Sequence, residues 1–541
     1  MLLRGTAIVS LLTLLSRVLG FVRDLLVAKL LGASLFADAF FVAFRVPNLL
    51  RSFVAEGALT SAFVPVFSTT LAKSKEEAFL SFRRVLGFLL SLTVPLSILG
   101  MWFAEDVVDF LAPGFSQNPE KFELCITLTR IMMPYIACVS VIAMINSALN
   151  SLHIFGASAW AQVTMNLVLI VGALVALSFE PHAATLVLSY SVLIGGVVQI
   201  IAQLPSCVAA GLSLIPSFSI LCRDVAEVVR LMIPATIGAS VYQLTIFIAT
   251  LLASLLPSGS VSWLFYADRV AQFPMGIFSV ALASVLLPAL STASATADTD
   301  GFRRRLGDSL RFTSFIIIPM AAGIWALALP ITELLFERGA FTHESSIMTS
   351  YALKALAVGL WATSCHSMLV RAFIARKDTI TPTLIGLCSL AVTVIVSLLL
   401  MGPIENPSGA IASWLAQFQN SLIVTLRWSA QIGHRGLATA SSTAAFVSFA
   451  LVLSLFAARI GNVPWRPFLA STARALISSL AMVLVLNALI EALPSALTAC
   501  LVGIPAGCLV YALASVLTRS PELAETLAIG KRVIERATKR R

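Results

Sequence analysis

Arg17, Arg23, Asp24, Asp38, Arg45, Arg51, Glu56, Asp268 and Arg269 lie inside or beside long apolar stretches of this sequence. A charged side chain at bilayer depth costs roughly 2.5–3.5 kcal/mol on insertion scales, so such residues usually face a protein interior or a wet cavity. The arginines point to a definite chemistry. A guanidinium is planar and donates two parallel hydrogen bonds to two oxygens, which suits a phosphate. Arg17 and Arg45 fall near the middle of their stretches. Asp38 and Arg45 are seven residues apart, hence close to one face of a helix, and Pro47 is placed to bend that face. Two readings compete. One is intramembrane pairing: Arg23 with Asp24 or Asp38, Arg269 with Asp268, and Arg51 or Arg23 snorkelling to an interface. The other is a cationic cavity for an anionic headgroup, with Asp24, Glu56 and Asp268 as supporting charges.

Other chemistry finds little support. The eight Cys form no CxxC pair and the five His stand singly. Neither set has metal-ligand spacing, so no metal site is expected. No nucleophile–base arrangement stands out, and no P-loop is present to bring ATP. The reading is a transporter, not an enzyme, and no cofactor is expected.

The elements that carry these charges are membrane-spanning helices. Hydrophobic residues make up 59% of the 541 residues and charged residues 11%, against about 25% charged in a soluble domain. Apolar runs long enough to cross roughly 30 Å of hydrocarbon recur throughout. Such runs must satisfy their backbone internally, so helix is expected, and the short alternating strands of an outer-membrane barrel are absent. Candidate spans are 6–31, 35–58, 82–104, 124–150, 157–178, 184–210, 226–256, 262–290, 310–337, 346–374, 380–401, 408–429, 440–460, 470–491 and 496–517. Arg4 and the apolar stretch after it resemble a signal peptide, but no A-x-A-like site follows, so an uncut first span is expected.

The net charge of +10 reads as inner loops rather than nucleic-acid binding. With the N-terminus in the cytoplasm, Arg83, Arg84, Arg303, Arg304, Arg305, Arg376, Lys377, Arg427 and Arg435 fall inside, among others. Only Lys29, Lys121 and Arg338 fall outside. Keeping Arg459, Arg466 and the basic tail inside requires that 440–460 does not traverse. The expectation is about 14 crossings, with that segment interfacial or packed, and both termini cytoplasmic.

Residues 58–68 and 281–291 match at Ala, Leu, Ser, Pro and Ser, and Arg45-Val46 corresponds to Arg269-Val270 with one residue of slippage. The two stretches end the second and eighth spans. This describes a parallel repeat of two lobes of about six helices, which places a substrate path near the bilayer midplane between them. The expected organisation is an N-terminal lobe 1–215, a C-terminal lobe 216–435, an extra apolar or interfacial segment 436–466, a terminal helix pair 467–520 and a basic tail 521–541.

Several motifs carry a resemblance. They are Ser16-Arg17-Val18-Leu19-Gly20-Phe21-Val22-Arg23-Asp24, the run from Ala37-Asp38 through Arg45-Val46-Pro47-Asn48 to Arg51, and Ala55-Glu56-Gly57. Later come Ser262-Trp263 with Tyr266-Ala267-Asp268-Arg269, and Arg371-Ala372-Phe373 with Arg376-Lys377-Asp378. They resemble the MurJ (MviN) family of lipid II flippases in the MOP exporter superfamily, through about residue 430. The resemblance implies a 14-helix all-α membrane protein in the cytoplasmic (inner) membrane. It implies two six-helix lobes and a terminal helix pair whose groove holds a lipid tail. The implied substrate is undecaprenyl-pyrophosphate-linked disaccharide-peptide, or lipid II. Essential cavity arginines of the family match Arg17, Arg23, Arg51 and Arg269, its cavity acid matches Asp38, and Arg45 sits where relatives are basic. Some members carry an acid for a sodium site in the seventh helix. The matching position here is Ala249, so no coupling ion is identified.

The expected partners are lipid II, membrane lipids and the cell-wall synthesis machinery. Runner-up readings are a flippase for another polyprenyl-linked glycan, a cation-coupled exporter of the same superfamily, and a non-transporting scaffold.

Overall fold

The computed structural model describes residues 2–54, 58–219, 221–296, 298–404, 407, 409–461 and 463–526. Glu56 and the basic cluster 531–541 lie outside the described residues. Among those described, the regular structure is entirely helical.

Helix α1 (Leu2–Leu31) ends at Gly32, followed by α2 (Leu35–Val54) and α3 (Ala58–Leu71). Helix α4 (Lys75–Trp102) begins where the Ser74 hydroxyl accepts from the Glu77 amide, with Glu76 and Glu77 in the first turn. Both the cap and the acids suit the positive end of a helix. After α5 (Ala104–Leu111), Asn118 caps α6 (Pro119–Met132) and Pro119 takes its first position, where a missing N–H costs nothing. Next come α7 (Tyr135–Ser151), α8 (Phe155–Ala176) and α9 (Pro181–Ala210), which stops on Gly211 at φ +76°. The chain continues through α10 (Arg223–Ser254), α11 (Ser260–Pro274), α12 (Val280–Ala295), α13 (Thr299–Ala326), α14 (Ala328–Phe336) and α15 (His343–Ala375). It closes with α16 (Ile380–Leu400), α17 (Ala410–Leu426), α18 (His434–Arg459), α19 (Trp465–Ala492) and α20 (Ala496–Leu517). Ten of the described helices or helix pairs are long and apolar enough to cross a membrane, and three shorter apolar helices add to them.

The chain forms two compact units. One comprises Met1–Ser262, Arg338–Thr342 and Pro403–Thr425; the other comprises Trp263–Glu337, His343–Gly402 and Leu426–Arg541. In the first unit α1 lies along α8, and α8 along α9. A Cβ at Gly172 of α8 would sit 2.6 Å from the Ser191 Cβ of α9. Small residues of this kind let helices approach in lipid, where no hydrophobic force draws them together. The loop 338–342 also packs here: the Ala340 amide donates to the Lys29 carbonyl at 2.9 Å. Gly32 and Gly339, both at φ +62°, leave no room for a Cβ against Ala340 and Lys29 respectively.

In the second unit the segment 440–460 belongs to α18, which packs along α15. At its start His434 Nε2 lies 2.9 Å from the Met348 carbonyl, near the start of α15. In the middle, Ser442 Oγ donates to the Ala355 carbonyl at 2.7 Å. Near its end, Phe456 meets Phe373 with ring centroids 6.2 Å apart. α18 thus runs parallel to α15 from end to end, and it crosses if α15 does. Conversely, the Ile432 amide donates to the Leu400 carbonyl at 2.9 Å. The excursion 401–431, which contains α17, therefore leaves and returns at the same end of α16. The segment expected as the twelfth span, 408–429, lies within this excursion, and the helix aligned on α15 is α18. The apolar content of α17 hid this. Its Gln417, Gln419 and Asn420 are the signal, and Gln419 turns back to accept from the Ile404 amide at 3.0 Å.

Candidate substrate site

Helix α1 carries the first arginines. Its buried stripe, Ser16, Asp24, Val27, Ala28 and Leu31, follows helical periodicity and faces α8. Arg17 is one residue off that stripe and exposed. Among the described residues no side chain pairs with it. Arg23 is half-buried and held on two sides. It donates to Asp24 Oδ1 through Nε at 2.9 Å and Nη2 at 2.7 Å, and to Asn166 Oδ1 of α8 through Nη1 at 3.2 Å. Asn166 in turn donates to the Ser16 carbonyl at 3.0 Å and the Ser16 hydroxyl at 3.1 Å. Of the pairings expected for Arg23, the one with Asp24 forms.

Asp38 has a different part from the one expected. It is 1% exposed and both oxygens are engaged. Oδ2 accepts from Lys121 Nζ at 2.7 Å and from the Gly259 amide at 2.7 Å. Oδ1 accepts from the Ser262 amide at 2.9 Å and the Ser262 hydroxyl at 2.6 Å. Asp38 therefore ties α2 to the amides at the start of α11, where a carboxylate complements the helix end. A carboxylate so occupied offers nothing to an anionic ligand. Lys121, expected in an outer loop, is instead 3% exposed in the first turn of α6. Its ammonium also lies 4.0 Å from the Phe115 ring centroid and 3.4 Å from Ser258 Oγ. Sequence reasoning missed it. The available signal was Asn118-Pro119, a helix start that puts Lys121 inside the helix rather than before it.

Arg45 and Arg51 of α2 are half-buried, and Pro47 lies within a continuous helix. In the second unit Arg269 is half-buried with its guanidinium 5.1 Å from the Phe265 ring centroid, one turn back on α11. That cation–π contact steadies a planar group without using its donors. Asp268 is exposed and accepts from Gln272. Ala249 of α10 has no ligating atom, and the hydroxyl of its neighbour Thr250 donates to its own helix at Ile246.

The sequence matches the family described as "Lipid II flippase MurJ" over residues 27–429. The chain belongs to the MurJ family of lipid II flippases. The Burkholderia cenocepacia protein named "Lipid II flippase MurJ" is 35% identical over 432 residues, covering 79% of this chain and 83% of its own length. The Vibrio cholerae "Probable lipid II flippase MurJ" is 34% identical over 461 residues, covering 83% and 82%. A solved "Lipid II flippase MurJ, inward closed conformation" superposes with a TM-score of 0.76 at 27% identity, covering 94% of this chain and 98% of that one. An inward-facing MATE transporter of the MOP superfamily shares the fold at TM-score 0.64 and 15% identity. Membership in the MurJ family makes this a multi-pass membrane transporter and not an enzyme. The arginines that the MurJ resemblance singles out thus differ in kind: Arg17 open, Arg23 tethered, Arg269 stacked.

Proposed function

We infer that this chain moves lipid II from the inner to the outer leaflet by alternating access, with Arg17, Arg23, Arg51 and Arg269 engaging the pyrophosphate and Arg45 adding positive charge. Arg17 carries the reading. An unpaired guanidinium midway along a membrane helix is costly unless it meets water or an anion. Asp24 and Asn166 serve as positioning residues for Arg23. Asp38 is reassigned from the ligand set to a clamp on the start of α11.

The topology that fits is about 14 crossings with α18 counted and α17 not, and both termini on the cytoplasmic face. This keeps Arg459 and Arg466 inside. It moves Arg427 and Arg435 to the outer end, against the positive-inside trend, which the remaining inner arginines still satisfy. The polyprenyl tail has a candidate berth in the second unit. An apolar cavity of about 500 Å³ is lined by Trp325, Trp361, Phe446, Leu476, Leu480 and Val483, so α19 of the terminal pair contributes and α13, α15 and α18 complete it. An anionic headgroup leaving a negative interior gains ~2.3 kcal/mol per charge per 100 mV.

The test is rescue of lipid II export in cells depleted of their own flippase, comparing wild type with Arg17→Ala and Arg269→Ala at matched membrane levels. Rescue by wild type alone is expected. Failure of well-expressed wild type would redirect the reading to another polyprenyl-linked cargo. Rescue by all three would remove the arginines from the site.

A further inference from the structure

Glu333 lies on the last turn of α14, Glu337 follows that helix one turn later, and His343 opens α15. His343 Nδ1 is 3.1 Å from Glu337 Oε2 and 3.4 Å from Glu333 Oε1. One ligand atom from each residue lies within 4.8 Å of the other two. Helix physics disfavours the arrangement of the acids. Like charges four residues apart repel, and carboxylates at a helix C-terminus meet the negative end of its dipole. The fold nevertheless brings both to one point and adds an imidazole. The spacing of the three residues matches none of the motifs by which metal sites are read from sequence.

We propose that Glu333, Glu337 and His343 bind a divalent transition-metal ion of the zinc type. Zinc with arms of about 2.0 Å in tetrahedral geometry needs ligand atoms roughly 3.3 Å apart. The two nitrogen–oxygen separations fall on either side of that value. The imidazole decides the class of ion. Calcium and magnesium take oxygen sets, whereas one nitrogen with two carboxylates suits zinc and its neighbours. Three protein ligands leave a fourth position for water, and the His343 side chain is 59% exposed, so an ion can enter from solvent. Ion binding fixes the two ends of the loop 338–342, whose Gly339 and Ala340 pack on the end of α1. The proposal does not rest on the transport reading.

The experiment uses the purified full-length, untagged protein, stripped with chelator and titrated calorimetrically with zinc, calcium and magnesium chlorides. One zinc per chain is expected at about micromolar affinity, with far weaker calcium and magnesium. Glu333→Gln, Glu337→Gln and His343→Ala should each weaken zinc about tenfold or more, since loss of even an outer-shell partner costs that much. Glu344→Gln should not. Zinc should raise the melting temperature of wild type and not of His343→Ala, which also reports whether each variant is folded. Absent binding, equal affinity for all three ions, or an unchanged titration in the three variants would each overturn the proposal.

Discussion

Lys121 and Asp38 are 83 residues apart in sequence and 2.7 Å apart in space, with both side chains almost wholly buried. Asp38 is also the hub of two backbone amides and a hydroxyl from the start of α11. Breaking a buried pair by removing one partner typically costs roughly 3–5 kcal/mol, because the other charge is stranded. Lys121→Ala should therefore lower the melting temperature of the purified protein sharply. Asp38→Ala should lower it at least as much, since it orphans the two amides as well. A Lys121→Met variant as stable as wild type would deny the pair this role.

Arg17 should behave in the opposite way. It makes no described ion pair, so Arg17→Ala should leave the stability within about 0.5 kcal/mol of wild type, as for surface changes away from special features. Export should nonetheless be lost. Asn166→Ala removes the tether between Arg23 and Ser16 and should reduce export while retaining Asp24 as partner. Measuring export and thermal stability side by side separates the two effects.

Asp378 predicts a pH dependence at the loop between α15 and α16. Its Oδ1 accepts from the Thr381 amide at 3.0 Å and its Oδ2 from the Thr381 hydroxyl at 2.7 Å. These bonds, the amide first, with Arg459 assisting, hold its carboxyl below the usual carboxylate range against a small opposing effect of burial. A depressed folded value means the stabilisation is present above the unfolded value of about 3.9. It is lost as pH falls through the folded value. Asp378→Ala should cost about 0.5–2 kcal/mol, as for loss of a helix cap, at neutral pH. The difference from wild type should vanish under strongly acidic conditions in a melting series.

The path of α17 and α18 is open to chemical labelling. In a background lacking reactive native cysteines, Gln431→Cys should react with a membrane-impermeant maleimide from the same side as Glu344→Cys. Arg466→Cys should react from the opposite side. Labelling of Gln431→Cys and Arg466→Cys from one side would restore the reading in which 408–429 crosses and 440–460 does not.

The sequence made the fold class legible because apolar runs of bilayer length leave helix as the choice. It also marked Arg17, Arg23, Arg51 and Arg269, since charge within such runs stands out. Its failures have a common cause. Periodicity assigns a residue to a face but does not say what meets that face. Asp38 looked like a cavity acid because neither Lys121 nor the amides of Gly259 and Ser262 are its neighbours in sequence. Likewise 408–429 and 440–460 both read as apolar runs in the sequence. Beyond the Gln417, Gln419 and Asn420 of α17, it is the return of Ile432 to Leu400, and the alignment of α18 on α15, that separates them. Glu333, Glu337 and His343 escaped notice because the site is built across a loop.

The two glycines at the end of α1 set a rule for how this protein can vary. Gly32 and Gly339 each face the backbone of the other segment at φ +62°. Every single-base change in a glycine codon that encodes a different amino acid installs a Cβ. No one-step replacement at either position is therefore neutral, and relief cannot come from a compensating side chain, because the obstacle is main chain. A saturation library should return these two codons nearly empty. The intervening loop residues, whose contact with α1 runs through a peptide group, should carry most of the permitted diversity.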